Sequence, residues 1–189
     1  LVKKDFDIIK NKEIGIVIFS PPYANCFDYC EAYKLEIWMG GFVKNHNDFK
    51  KYRNIALRSH VNASFDHNML HLNRSVEIIS NLISSYNIWN KNIPDMIYGY
   101  FDDMNEILSR LFKIMKSGTK CFIVAANSGY KGVLIPTDLL LAEIAQKIGF
   151  DVNEIIVARK LRSSSQQMED LSRNYSHLTR ESILILQKN

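Results

Sequence analysis

Ten consecutive residues, Ile14-Gly15-Ile16-Val17-Ile18-Phe19-Ser20-Pro21-Pro22-Tyr23, decide how the chain is built. The first six form an unbroken apolar run instead of an alternating one. Such a run predicts a strand buried on both faces, as in a parallel sheet. Pro21 and Pro22 have no N–H to give to a ladder, so the strand is expected to stop at Phe19.

A second run of the same kind is Cys121-Phe122-Ile123-Val124-Ala125-Ala126. Helical patterns lie between the two. One is expected to start near Asp28, with Tyr29, Ala32, Tyr33, Ile37 and Trp38 on one side, and to end at Gly40-Gly41. Residues 44 to 66 are polar and read as short helix and surface loop. Asp66 is expected to cap a helix carrying Met69, Leu70, Val76, Ile79, Leu82, Ile83 and Tyr86. The strongest period enters at Pro94 and passes Ile97, Tyr100, Phe101, Met104, Leu108, Leu111, Phe112 and Met115, with Gly118 closing it.

After the second run, Thr137 is expected to cap a helix through Leu140, Leu141, Ile144, Ala145 and Ile148, stopped by Gly149. Strands over 154–158 and 182–186 follow with no helix between them, so they are expected to pair antiparallel. The order predicts a single α/β domain over 1–189, with a largely parallel sheet and a helical insertion at about 28–116. Ligands of such sheets sit beyond the carboxyl ends of the strands. Ser20–Tyr23 and Asn127-Ser128-Gly129-Tyr130 both fall there.

The 189 residues are 47% hydrophobic and 23% charged, which excludes a disordered tail or a coiled-coil rod. No apolar run is long enough for a membrane span. Leu1-Val2-Lys3-Lys4-Asp5 lacks the apolar core of a secretion signal, and because the first residue is not Met, a segment upstream is expected. The net charge of +4 permits a nucleic-acid partner without demanding one. Cys26, Cys30 and Cys121 contain no Cys-x-x-Cys pair, which argues against a disulfide framework or a zinc ribbon and for a reducing cytoplasm.

Ser20-Pro21-Pro22-Tyr23 carries the chemistry. Two fixed φ angles hold the backbone in one shape. A hydroxyl before them, free carbonyls within them and an aromatic ring after them make a cradle for a flat group bearing an amine. Arg159, Lys160, Arg162, Arg173 and Arg180 gather near the last two strands with Ser163-Ser164-Ser165-Gln166-Gln167. Arginines there suit phosphates, and glutamines suit base edges. His60, His67 and His71 include a His-x-x-x-His spacing but no evident acidic third ligand, so they are read as surface histidines and no metal is expected. Asp102-Asp103 reads as a solvated helix face. Gly129-Tyr130-Lys131-Gly132 has the Gly-x-x-Gly of a KH loop in the wrong order of elements.

Ser20–Tyr23 resembles the (Asp/Asn/Ser)-Pro-Pro-(Tyr/Phe/Trp) motif of the amino-methyltransferases of nucleic acids. Ser20 through Tyr29 is similar to its extended form in bacterial DNA-modification methyltransferases. Tyr98–Met104, Asn127–Asp138, Arg159–Met168 and Arg180–Leu184 continue the resemblance over nearly the whole chain. It implies a methyl transfer from S-adenosylmethionine to the exocyclic amine of a base flipped out of DNA. Ser20 Oγ and the Pro21 carbonyl would accept the amine N–H bonds, and Tyr23 would stack on the base. Serine at the first position favours cytosine N4 over adenine N6. Asn127, Arg159, Arg162, Gln166, Gln167 and Arg180 would contact DNA.

The resemblance also implies a Rossmann-like class I methyltransferase sheet, of which this chain has strands four to seven, the last antiparallel. That is its C-terminal catalytic half. The family's Gly-rich cofactor turn is missing, since no Gly-x-Gly occurs among the eight glycines. Residues 1 to 19 are then expected to lie in an interface, with a second copy or with a separate cofactor-binding half. The alternatives are a non-catalytic DNA- or partner-binding remnant and a fragment of an RNA guanine-N2 methyltransferase. Because the Gly-rich turn and the ribose carboxylate are absent, the chain alone should bind S-adenosylmethionine weakly or not at all. Micromolar binding by titration calorimetry would overturn that placement of the cofactor site.

Overall fold

The structure is a computed structural model that describes residues 14–63, 65, 73–161 and 177–189. Its elements run β1 (Ile14–Phe19), α1 (Tyr29–Ala32), α2 (Lys34–Met39), α3 (His46–Asn54), α4 (Arg74–Ser84), α5 (Ile93–Ile114), β2 (Met115–Ala126), β3 (Ser128–Tyr130), β4 (Val133–Ile135), α6 (Thr137–Ile148), β5 (Phe150–Lys160) and β6 (Arg180–Lys188). The main sheet has the order β1-β2-β6-β5. β1 and β2 are parallel, while β6 runs antiparallel to both its neighbours. The pairing of the two apolar runs and the antiparallel pairing of the last two strands are as the sequence predicts, but the described sheet is not largely parallel: only β1 with β2 pairs that way, because β6 enters between β2 and β5 and runs against both.

α5 is the spine. Ile93, Met96, Ile97, Tyr100, Met104 and Leu108 recur at helical spacing, and all are fully buried. They pack with Cys121, Ile123 and Ala125 of β2 and with Leu184 and Leu186 of β6 in one core. Pro94 opens the helix, where its missing N–H costs nothing. Gly118 does not close it. The helix ends at Ile114, where Lys188 from the last strand donates to the carbonyls of Phe112 and Met115. Gly118, at φ +80°, instead serves a turn inside β2, in which Thr119 Oγ1 donates to the Lys116 carbonyl at 2.6 Å. The turn accounts for the slip in register between Ile14↔Met115 and Ile16↔Lys120.

The helix expected from Asp28 is broken at Tyr33 into α1 and α2. Asp28 caps α1 as expected, accepting from the Glu31 N–H at 3.1 Å. No side chain of α2 is fully buried: Ile37 packs against Cys30, Val43 and Phe49, while Trp38, and Tyr33 just before the helix, are exposed. The cap foreseen at Asp66 lies outside the described residues; α4 starts at Arg74 with the Asn73 side chain as its cap. Thr137 is the first residue of α6, not its cap; Pro136 holds that position without a side-chain bond. Gly149, at φ +116°, ends α6 as expected.

β1 departs from the two-faced burial that its composition suggests. Val17 and Phe19 pack on the core, but Ile16 and Ile18 on the other face are 57% and 68% exposed. Phe122, Val124, Ile183 and Ile185 continue that face and are half-buried. Both described helices on the sheet, α5 and α6, cover the face of Cys121 and Leu184. Each isoleucine left out of a core forgoes about 1.5–3 kcal/mol of burial. β1 is also an edge of the described sheet.

Buried polar groups tie the sheet's carboxyl end together. Asp138 is 1% exposed, and its carboxylate accepts from Arg180 Nε at 2.9 Å, Ser182 Oγ at 2.8 Å and the Leu139 N–H at 2.9 Å. Asp138→Ala would leave a half-buried guanidinium without its partner. It should cost about 3–5 kcal/mol of stability by urea denaturation; a loss below about 1 kcal/mol would show that the pair is dispensable.

Candidate active site

The motif loop leaves β1 where the parallel register Phe19↔Ile123 sets Ser20 beside Val124. Ser20 Oγ donates to the Val124 carbonyl at 3.1 Å. A hydroxyl has one proton to give, so this bond leaves Ser20 with lone pairs only. Ser20 itself is exposed, while Pro21 behind it is buried. An exposed hydroxyl oxygen with lone pairs to offer is what a group bearing N–H would meet here.

Tyr23 is pinned at its far end. Its hydroxyl donates to the Glu181 carboxylate, across 158 residues of sequence. Glu181 sits opposite Ala126 on one side and Arg159 on the other. Arg159 closes the pair with Nε at 2.6 Å and a second bond at 3.3 Å. Arg159, and after it the Tyr23 hydroxyl, hold the Glu181 carboxyl below its ordinary 4.5. Burial, and then Glu181, push the Tyr23 hydroxyl above 10.0, so it stays a neutral donor.

The turn after Tyr23 is clamped from the β2–β3 side. Ala24 is fully buried, and its carbonyl accepts from Ser128 Oγ at 2.8 Å and from the Tyr130 hydroxyl at 3.2 Å. Cys26 Sγ and the Tyr130 hydroxyl share a hydrogen bond at 3.1 Å. Cys26 has φ +65°, a conformation that costs a residue with a Cβ roughly 1–2 kcal/mol. Burial raises the Cys26 thiol above 9.0, which removes it as a thiolate nucleophile. The Gly129-x-x-Gly132 stretch is a hairpin: Lys131 and Gly132, both at positive φ, turn β3 into β4.

An apolar cleft of about 340 Å³ opens against the motif, between Phe19, Ser20 and Pro21, Tyr52 and Leu57 of the insertion, and Ile107 of α5. The segment after α3 is locked to α5 by Arg58, which binds Asp103 through three bonds and Asp102 through one at 2.8 Å. Asp102 and Asp103 therefore grip a guanidinium and are not a solvated face. His60 is also misread as a surface residue. It is 3% exposed, with Nδ1 3.6 Å from Asp28, and burial lowers its pKa. His67 and His71 lie outside the described residues. Among the described residues no cluster of metal-binding side chains forms.

Three of the residues expected to meet DNA are described, and they differ. Asn127 is 3% exposed and works inside the fold: its N–H donates to the Arg180 carbonyl, its Nδ2 to the Leu178 carbonyl, and its Oδ1 accepts from the Asp138 N–H at the head of α6. Arg180 is engaged by Asp138, with only 17% of its side chain exposed. Arg159 keeps 67% of its side chain exposed beside the motif. Arg162, Gln166 and Gln167 lie outside the described residues. Glu181, Ser128 and Tyr130 hold the loop, and sequence reasoning assigns none of them a role. The one hint for Glu181 is a carboxylate just before the apolar run 183–186.

Over 166 residues the chain is 33% identical to the type II methyltransferase M.AvaI of Nostoc and of Anabaena variabilis, covering 80% of this chain and 34% of that protein. It is 30% identical over 183 residues to the type II methyltransferase M.BsoBI of Geobacillus stearothermophilus, covering 85% of this chain and 36% of that protein. The chain thus spans about a third of the length of these relatives. A solved structure from Thermus thermophilus, provisionally described as a DNA modification methylase, aligns with a TM-score of 0.39 and 16% identity over 58% of this chain and 50% of that one, too distant to carry an argument. No protein-family model matches. Among the described residues no helix is long and apolar enough to cross a membrane.

Glu181 also sets a pH dependence. A carboxyl whose folded pKa is lowered adds stability above its unfolded value near 4.5, and that stability is lost as pH falls through the lowered folded value. Glu181→Gln should flatten the acid limb of the melting-temperature profile below pH 4.5; an unchanged limb would show that Glu181 is not among the groups that drive acid unfolding.

Proposed function

We propose that this chain is the catalytic-motif portion of a DNA amino-methyltransferase, which moves a methyl group from S-adenosylmethionine to the exocyclic amine of a flipped base, with cytosine N4 the favoured target. The single observation that carries this reading is the state of Ser20. Its hydroxyl is within bonding reach of the Val124 carbonyl, and with the proton directed there it offers lone pairs at the carboxyl end of the parallel strand pair. The similarity to type II methyltransferases supports the same reading over most of the chain.

An exocyclic amine is a poor nucleophile because its lone pair is drawn into the ring. Ser20 Oγ and the Pro21 carbonyl accept its two N–H bonds and pull the nitrogen towards a tetrahedral shape. Tyr23 stacks on the base, a contact worth about 1–3 kcal/mol. Arg159, exposed beside it, meets phosphate. The residues of this chain do not make a methyl-donor site by themselves: they hold no Gly-x-Gly turn. The strand order β1-β2-β6-β5, with β6 antiparallel, supports reading these strands as four to seven of the family sheet. The helical stretch at about 28–116 is the insertion between the first two of these strands. The remaining strands and the donor site belong to the rest of the protein, or to a partner, seated on the free edge of β1 and the face of Ile16 and Ile18.

The test is methyl transfer from labelled S-adenosylmethionine to unmethylated phage DNA by the full-length protein, followed by nucleoside analysis. Label in N4-methylcytosine is expected. Label in N6-methyladenine would move the target to adenine, and no label would overturn the reading. Ser20→Ala should lower the saturating rate by about a hundredfold, a loss of roughly 2.7 kcal/mol of transition-state stabilisation.

A further inference from the structure

We propose that Glu181 is a positioning residue, which acts through Tyr23 by holding its hydroxyl end and so the direction of its ring axis; this rests on the reading of Tyr23 as the platform for the flipped base. Nothing in the motif itself requires a carboxylate 158 residues away. The structure nonetheless brings one there and gives it two partners.

The arrangement follows from strand alternation. Ser182 is 1% exposed and points into the core, where it donates to Asp138. Its neighbour Glu181 must then point to the opposite face of β6, the face of Ile183 and Ile185. The pairing Ala126↔Glu181 puts it level with the carboxyl end of β2, where the motif loop passes. β5 contributes a register shift between Val157 and Arg159, which brings Arg159 opposite Glu181.

A tyrosine ring on a loop has two torsions to lose before it can stack. Here both ends are held. The backbone just after it is fixed by the two bonds to the Ala24 carbonyl, and the hydroxyl is fixed by Glu181. Arg159 binds both carboxylate oxygens, which favours the position of Glu181 beside Tyr23. The ring is thus set before a base arrives, and the ordering cost is met in folding and not in catalysis.

The experiment is a double-mutant cycle in the full-length protein with Tyr23→Phe and Glu181→Ala, plus Glu181→Gln. The readouts are single-turnover methylation of unmethylated phage DNA, KM for S-adenosylmethionine, and melting temperature. Glu181→Ala should slow the saturating rate by about tenfold to a hundredfold and leave the KM unchanged. Glu181→Gln keeps an oxygen for the hydroxyl and should recover most of the rate. In the Tyr23→Phe background, Glu181→Ala should add nothing. Independent multiplicative losses, no rescue by glutamine, or an effect on KM alone would each overturn the proposal. A parent protein that methylates no DNA would defeat the functional reading and the positioning role with it. The melting cycle reads the Tyr23–Glu181 contact separately: coupling there without any methylation would leave the contact standing as purely structural.

Discussion

The parallel pairing of β1 with β2 is the constraint on which the rest of the structure depends. It sets Ser20 level with Val124 and delivers the motif loop to the carboxyl end of the sheet. A slip by one residue would turn every side chain of β1 to the wrong face and aim Ser20 away from the loop's partners. The register is held by Val17 and Phe19, which pack on the core, and by the turn at Lys116–Thr119, which absorbs the mismatch at the other end of the pair.

Above that pairing stands a polar layer in which each group has a defined partner. Asn127 joins the end of β2 to the start of α6 and to the approach to β6. Asp138 joins α6 to β6 through Arg180 and Ser182. Ser128 and Tyr130 then reach back to Ala24. Buried polar groups of this kind are costly unless satisfied, and a satisfied set permits very few arrangements. The exposed Ser20 therefore rests on a rigid support, which is what a group that must hold a small amine in one orientation requires.

The two faces of the sheet differ in how far the described residues cover them. α5 and α6 cover one face with a dense apolar core, while Ile16, Ile18 and Ile156 remain exposed on the other. An apolar edge strand without charge or proline along its length invites pairing.

Much of this was legible in the residues alone. The two unbroken apolar runs are strands because their composition admits little else, and α5 is a helix because its period persists along its whole length. The proline pair ends β1 by chemistry that no tertiary contact can alter. Local chemistry could not say which face of β1 is covered, since burial depends on what packs there and not on the strand. It could not separate Asn127 and Arg180, held inside the fold, from Arg159, left at the surface, because all three are polar residues beside the same strand ends. Nor could it show that Asp102 and Asp103 grip Arg58, or that Glu181 holds Tyr23. Those pairs are 44 to 158 residues apart in sequence, and only the packing of the sheet against its helices brings them within hydrogen-bonding reach.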